Sequence, residues 1–235
     1  MSNDLRAMLR NLLKSGTDSN PALNSLLEDY ARYHFVLVGF AGAFVVGFLI
    51  LGVFSLRRVL KSPMTDARRW TFERRTYLFF GLTSLSLALA MAFIVGVNLL
   101  NALDPRPGFS GTLSGIGSPS PGTPRAELHE AFATWLQSGS TERPVLVQDS
   151  INDRLAWQRP KAIVCGLLLV GLVAAGTRIW STLIQRSRVR AATGRDRLLL
   201  AAGIGNAMVC LLLMIMVIAN TQASLAPLGL TLVNG

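Results

Sequence analysis

Four long apolar runs, 35–56, 77–100, 162–184 and 198–219, dominate the chain. A helix rises about 1.5 Å per residue and a hydrocarbon core is about 30 Å thick, so each run is long enough to cross a bilayer. Three of the runs carry no charged residue. The third carries only Arg178, close to Trp180, where an arginine can snorkel to the interface beside an aromatic anchor. The fold class that follows is all-α and integral to the membrane: four transmembrane helices with a partly helical outer loop.

The rest of the chain divides around these spans. Residues 1–34 form an N-terminal amphipathic segment, 57–76 and 185–197 are short basic loops, 101–161 is the large loop and 220–235 is a C-terminal tail. The net charge of +10 is concentrated near span ends, the pattern of topology determinants rather than of a nucleic-acid surface. Thirteen basic residues lie in 57–76 and 178–197, against Arg32, Arg106, Arg154, Arg159 and Lys161 near span ends on the other side. The positive-inside rule then places both short loops in the cytoplasm and both termini and the 101–161 loop outside. Residues 1–15 are amphipathic and polar, so no cleavable signal peptide is expected. Cys165 and Cys210 fall inside spans, which excludes a disulfide-stapled outer loop. Of the 23 basic residues only Lys14, Lys61 and Lys161 are lysine, a usage that points to a high-GC bacterium and its inner membrane.

In residues 4–15, Leu5, Met8, Leu9, Leu12 and Leu13 share one helical face opposite Arg6, Arg10 and Lys14. This predicts a short basic helix, stopped at Gly16, that lies on a membrane surface or packs on a neighbour. Residues 17–21 read as a turn, and a second helix from about Ala22 runs into the first span. Residues 104–124 are rich in Pro, Gly and Ser and read as an extended flexible tether. The segment 124–138 reads as a helix, with Thr123 as N-cap, Pro124 at the first position and Gly139 after the last. Leu128, Phe132, Trp135 and Leu136 share one of its faces, which needs cover from lipid, from the protein itself or from a docking partner. A further short helix is expected from Ser150, ending before Pro160.

Inside the membrane the most specific signals are small residues at four-residue spacing. They are Gly39, Ala43 and Gly47 in the first span and Ser84, Ala88, Ala92 and Gly96 in the second. Gly171 and Ala175 follow in the third, and Ala201 and Gly205 in the fourth. Small side chains let backbones approach closely, and lipid supplies no hydrophobic drive between helices, so these ridges are the expected helix contacts, the first span against the second above all. The polar residues at depth are Asn98, Asn206 and Arg178. The asparagines read as interhelical hydrogen-bond donors and the arginine as a snorkelling group or a contact to a lipid phosphate.

No Asp, Glu, His or Lys lies within the four runs and no proline interrupts one, which argues against a proton relay or a broken-helix transport site. His129 has no second histidine at metal-protease spacing, Glu127 and Glu130 read as a solvated helix face, and no nucleotide or nucleophile motif is present. No catalytic residue, metal ligand or cofactor is expected, and the chain is not expected to be an enzyme.

Tetraspanins and claudins share the four-span plan, but the cysteines they require in the large loop are missing here. In size, span number and arginine-rich composition the chain resembles the small four-span actinobacterial membrane proteins that accompany Mce-type (mammalian cell entry) lipid importers as lipid-uptake coordinators. The resemblance carries no functional residues across; it implies an accessory or stabilising subunit of a larger envelope complex, one that moves lipid. The partners expected are other integral membrane subunits, such as a lipid importer, and anionic lipids at the basic loops, with no nucleic acid. The alternative is a small autonomous transporter or channel acting as a homo-oligomer, with Asn98 and Asn206 lining a polar path.

Overall fold

A computed structural model describes residues 2–15, 20–61, 71–189 and 193–234, and its regular structure is entirely helical. The elements are α1 (Ser2–Lys14), α2 (Pro21–Lys61), α3 (Phe72–Leu103), α4 (Pro105–Thr112), a 3-10 turn at Leu113–Gly115, α5 (Pro124–Ser138), α6 (Val145–Val189), α7 (Gly194–Leu225) and α8 (Pro227–Asn234). Four of these, α2, α3, α6 and α7, are long and apolar enough to cross a membrane, and each contains one of the apolar runs. The protein is a four-span, multi-pass membrane protein.

The spanning helices outrun the bilayer. At about 1.5 Å per residue, α2 with 41 residues and α6 with 45 are each about twice as long as a hydrocarbon core is thick. Their extra length serves a separate compact unit. The contacts divide the chain into a first unit of residues 1–38, 96–161 and 219–235, and a second of 39–95 and 162–218. Every boundary falls within about four residues of the end of an apolar run. The second unit is therefore the spans, whose helices extend into both expected basic loops, of which residues 62–70 and 190–192 lie outside the described residues; the first gathers both termini and the large loop.

The first unit has a core that the sequence does not announce as one. Leu5 and Leu9 of α1, Leu23 and Leu26 of α2, Phe109 of α4, Phe132 and Trp135 of α5, Val147 and Ile151 of α6, and Leu228 and Leu232 of α8 form one buried cluster. The amphipathic α1 thus packs on protein. Gly16 and residues 17–19 lie outside the described residues. The expected flexible tether at 104–124 is corrected: Pro105 stands at the start of a helix, where it lacks no bond, and Phe109, Leu113 and Ile116 are buried in the core. Burial of three large side chains outweighs the poor helix propensity of the Pro/Gly-rich stretch. The C-terminal tail is likewise helical, with Leu228 and Leu232 in the core. The separate helix expected to end before Pro160 is instead continuous with the third span, α6 running through Pro160. That proline and Ala156 one turn before it are exposed, so the carbonyl that the ring displaces can turn to water or headgroups.

Caps hold the ends in place. Thr123 Oγ1 accepts from the Ala126 N–H (3.3 Å), and Gly139 closes α5 at φ 61°, its N–H donating to the Trp135 carbonyl. Asn20 caps α2 through the Leu23 N–H (3.0 Å) and donates from Nδ2 to the Leu136 carbonyl (2.8 Å), joining the start of α2 to the end of α5. In the second unit, Thr193 donates from its N–H (3.0 Å) and its hydroxyl (2.7 Å) to Asp196 Oδ2 at the start of α7, and Arg186 pairs with Asp196 at 3.4 Å. Arg188 grips Glu73 with two donors, Nε at 2.8 Å from Oε2, linking the end of α6 to the start of α3.

Candidate functional site

The first unit holds an open groove of about 470 Å³ between α5, α6 and α8. Thr123 and Pro124 fix where α5 begins, which sets Arg125 and Glu127 in its first turn. On α6, Leu146, Ser150, Arg154 and Trp157 recur at four-, four- and three-residue spacing and share a face. Arg125 donates from Nη2 to the Val233 carbonyl at 2.8 Å, tying α5 to α8. The Nε atoms of both Arg125 and Arg154 are buried without a hydrogen-bond partner among the described residues. Glu127 and Asp153 stand at the exposed rim, whereas the two arginines are half-buried at the floor. Burial pushes the Arg154 pKa down from its ordinary value; the group stays protonated, so a charge is held partly out of water. Trp157 is 69% exposed, and the Lys161 ammonium lies 5.5 Å from its ring centroid.

A second polar set ties α2 to the C-terminal elements. Asp29, six residues before the first apolar run, accepts from the Gly229 N–H at 2.8 Å. Burial raises its carboxyl pKa, and the Gly229 hydrogen bond, Arg32 and Arg143 oppose the rise. Gln222 donates from Nε2 to the Tyr33 carbonyl at 3.1 Å. Asn98 meets His34, Oδ1 to Nδ1 at 2.6 Å, while Tyr30 packs edge-on against His34 and Phe109. Asn206 donates to the Leu172 carbonyl at 3.1 Å. Both asparagines are thus engaged between helices. Arg178 is exposed on α6.

The small-residue ridges require correction. Gly39, Ala43, Gly47, Ala92, Gly96, Gly171, Ala175, Ala201 and Gly205 all face outward from the chain, and only Ser84 and Ala88 are buried. A Cβ added at Gly39, Gly47, Gly96, Gly171 or Gly205 would meet nothing within 4 Å. The close crossings use other glycines. Gly52 of α2 and Gly81 of α3 approach so nearly that a Cβ on either would lie 3.4–3.6 Å from the other's carbonyl oxygen. Gly176 of α6 receives the Asn206 side chain, and Gly203 of α7 receives Trp180, which itself meets Phe80 edge-on at 4.8 Å. The inward face of α3 runs Gly81, Ser84, Ala88, Met91, a three-four-three alternation that a strict four-residue ridge drifts away from.

Of the three covers expected for the face of Leu128, Phe132, Trp135 and Leu136, the protein itself supplies it, and the docking alternative falls away. All four are buried, covered by the chain's own α1, α2 and α8, and Trp135 donates from Nε1 to the Ser140 carbonyl at 2.9 Å. His129 shares this interior at 4% exposure. Burial and the nearby Arg125 charge push its pKa down from the ordinary histidine value, and the Leu232 backbone beside the ring opposes the fall. Such a group contributes stability that is fully present above its unfolded pKa, about 6.5, and lost progressively as pH falls from there through the lower folded pKa. The fall in melting temperature between pH 7.5 and 5.5 should therefore be smaller in a His129→Leu variant than in the parent chain. Equal falls in a thermal-melt series would remove this role.

No protein-family model, curated protein or solved structure matches the chain.

Proposed function

We propose that the chain is a non-catalytic accessory subunit that stabilises a larger membrane complex of the bacterial envelope through lateral contact of its spans. The observation that supports this reading is the outward placement of the small-residue ridges, with open space beyond Gly39, Gly47, Gly96, Gly171 and Gly205. Glycine and alanine offer lipid tails little to pack against, but they let a second protein's helix come close. The ridges occur on all four spans, so the chain can be gripped from several sides. The basic segments 57–76 and 185–197 suit anionic lipid headgroups, and the positive-inside rule favours the cytoplasmic side for them and the outer side for both termini and the large loop. A complex that moves lipid is the process we favour, on the likeness in plan to the coordinators of lipid importers.

The test is extraction of the tagged chain from its native membrane in mild detergent, with the co-purifying proteins identified and their stoichiometry measured. A transporter or other large membrane complex at near-equal stoichiometry is expected, and it should be largely lost from a Gly47→Leu, Gly171→Leu double variant. Recovery of a lone homo-oligomer would overturn the reading in favour of an autonomous transporter or channel, to be pursued by liposome flux.

A further inference from the structure

We infer that the groove between α5, α6 and α8 binds a phosphate-bearing anion, held at its floor by the guanidinium of Arg154. The site is independent of the lateral contacts proposed above.

The charge arrangement at the floor motivates the assignment. Arg154 is half-buried, its Nε is sealed from solvent, and it has neither hydrogen bond nor ion pair among the described residues. A desolvated cation without a counter-charge is costly, and an anion entering the groove relieves that cost. Arg125 brings a second guanidinium to the same floor. Its Nη2 is fixed on the Val233 carbonyl, so its orientation is set before any ligand arrives. Two planar, permanently charged groups match the oxygens of a phosphate better than ammonium groups would. Ser150 adds a hydroxyl to the lining, though its Oγ already donates to the Leu146 carbonyl at 2.9 Å and is left to accept.

The rim refines the ligand class. Glu127 and Asp153 are exposed, where water screens them, so they weaken the floor's field only modestly. They disfavour a polyanion and favour a compact phosphoester of low net charge.

Position along α6 supplies the second line of argument. Arg154 lies eight residues before the third apolar run and Trp157 five, about 12 Å and about 8 Å of helix. Interfacial headgroups extend about 5–8 Å beyond the hydrocarbon on each side, so counted along α6 Trp157 falls at the edge of that layer, where exposed tryptophan with a lysine beside it is typical, and Arg154 falls a few ångströms past it. A long arginine side chain spans such a distance, so a lipid phosphate and a soluble phosphoester are both ligands of the right class.

The full chain, purified in mild detergent, is titrated with dihexanoyl-phosphatidylglycerol and separately with glycerol 3-phosphate, and bound adducts are counted by native mass spectrometry. One saturable equivalent of at least one probe is expected, weakened about tenfold or more in Arg154→Gln, the loss of a charged hydrogen-bonded contact. Melting temperature without ligand should not fall, since the variant removes a desolvated charge. Binding of the lipid alone identifies a headgroup site, and equal binding of both probes identifies a phosphoester site that needs no acyl chains. No saturable binding of either probe, or unchanged affinity in Arg154→Gln, overturns the inference. Should that variant fail to purify, Asp153→Asn at the rim should tighten binding severalfold, and unchanged affinity there overturns it equally.

Discussion

Phe132→Ala is expected to lower the stability of the first unit by about 3–5 kcal/mol, the usual cost of deleting a buried phenyl ring. The ring is fully buried, 0% exposed, in the cluster where α1, α2, α4, α5, α6 and α8 all contribute side chains. Small folded units are stable by only about 5–15 kcal/mol, so this is a large fraction of what is available. The spans hold a separate set of contacts and should remain helical. The variant should therefore lose the protection of α1 and α8 against added protease while most of its helical circular-dichroism signal persists. Unaltered protease resistance and melting temperature would mean that the core is not built around α5.

Gly81→Leu should have the second large effect, and its contrast with Gly47→Leu is the informative part. A Cβ at Gly81 would lie 2.7 Å from Leu56 Cδ2, and one at Gly52 would lie 2.8 Å from Leu85 Cδ2. Each of these leucines also presents its Cγ at 2.9 Å, so more than the tip of the side chain would have to move, and the facing carbonyl oxygen at 3.4–3.6 Å leaves no room for a leucine's further atoms on that side. Overpacking of this kind costs about 1–3 kcal/mol, and a leucine, with four carbons to place, should reach the upper end. Within lipid, packing is also the main force joining helices, which leaves little to restore the contact. Gly47, with nothing within 4 Å, should accept leucine with the melting temperature unchanged to within about 2 °C, the ordinary range for a surface substitution. Melting of the two purified variants decides the matter; equal losses would show that the outward assignment of Gly47 is wrong.

These two positions also mark where sequence was sufficient and where it was not. The spans were legible because length and lack of charge alone define them. The start and stop of α5 were legible because Thr123, Pro124 and Gly139 each act through their own backbone. The ridges misled because a spacing of four puts small residues on one face without saying which face turns inward. That choice is made by specific pairs, such as Trp180 over Gly203 and Asn206 against Gly176, which lie on different helices. The helix α4 was hidden for a related reason: its Pro/Gly composition argues for a tether, and only burial of Phe109 beside residues distant in sequence overrides it. Arg125 and Arg154 carried no visible signal beyond charge. Their significance rests on which groups they fail to meet, and that is a property of the assembled helices.

The shared core of α1 and α8 has a consequence for how the protein is made. Leu228 and Leu232 are synthesised about 220 residues after Leu5 and Leu9. At about 5–20 residues per second, α1 waits on the order of ten to forty seconds for these neighbours. Those neighbours follow α7, so they reach their place only once the fourth span has been threaded into the bilayer. A closed core in the first unit thus requires that the N-terminal segment, the large loop and the C-terminal tail have all reached the same side of the bilayer. A nascent chain that misses a single crossing would keep leucines uncovered, a mark that membrane proteases and holding chaperones can read.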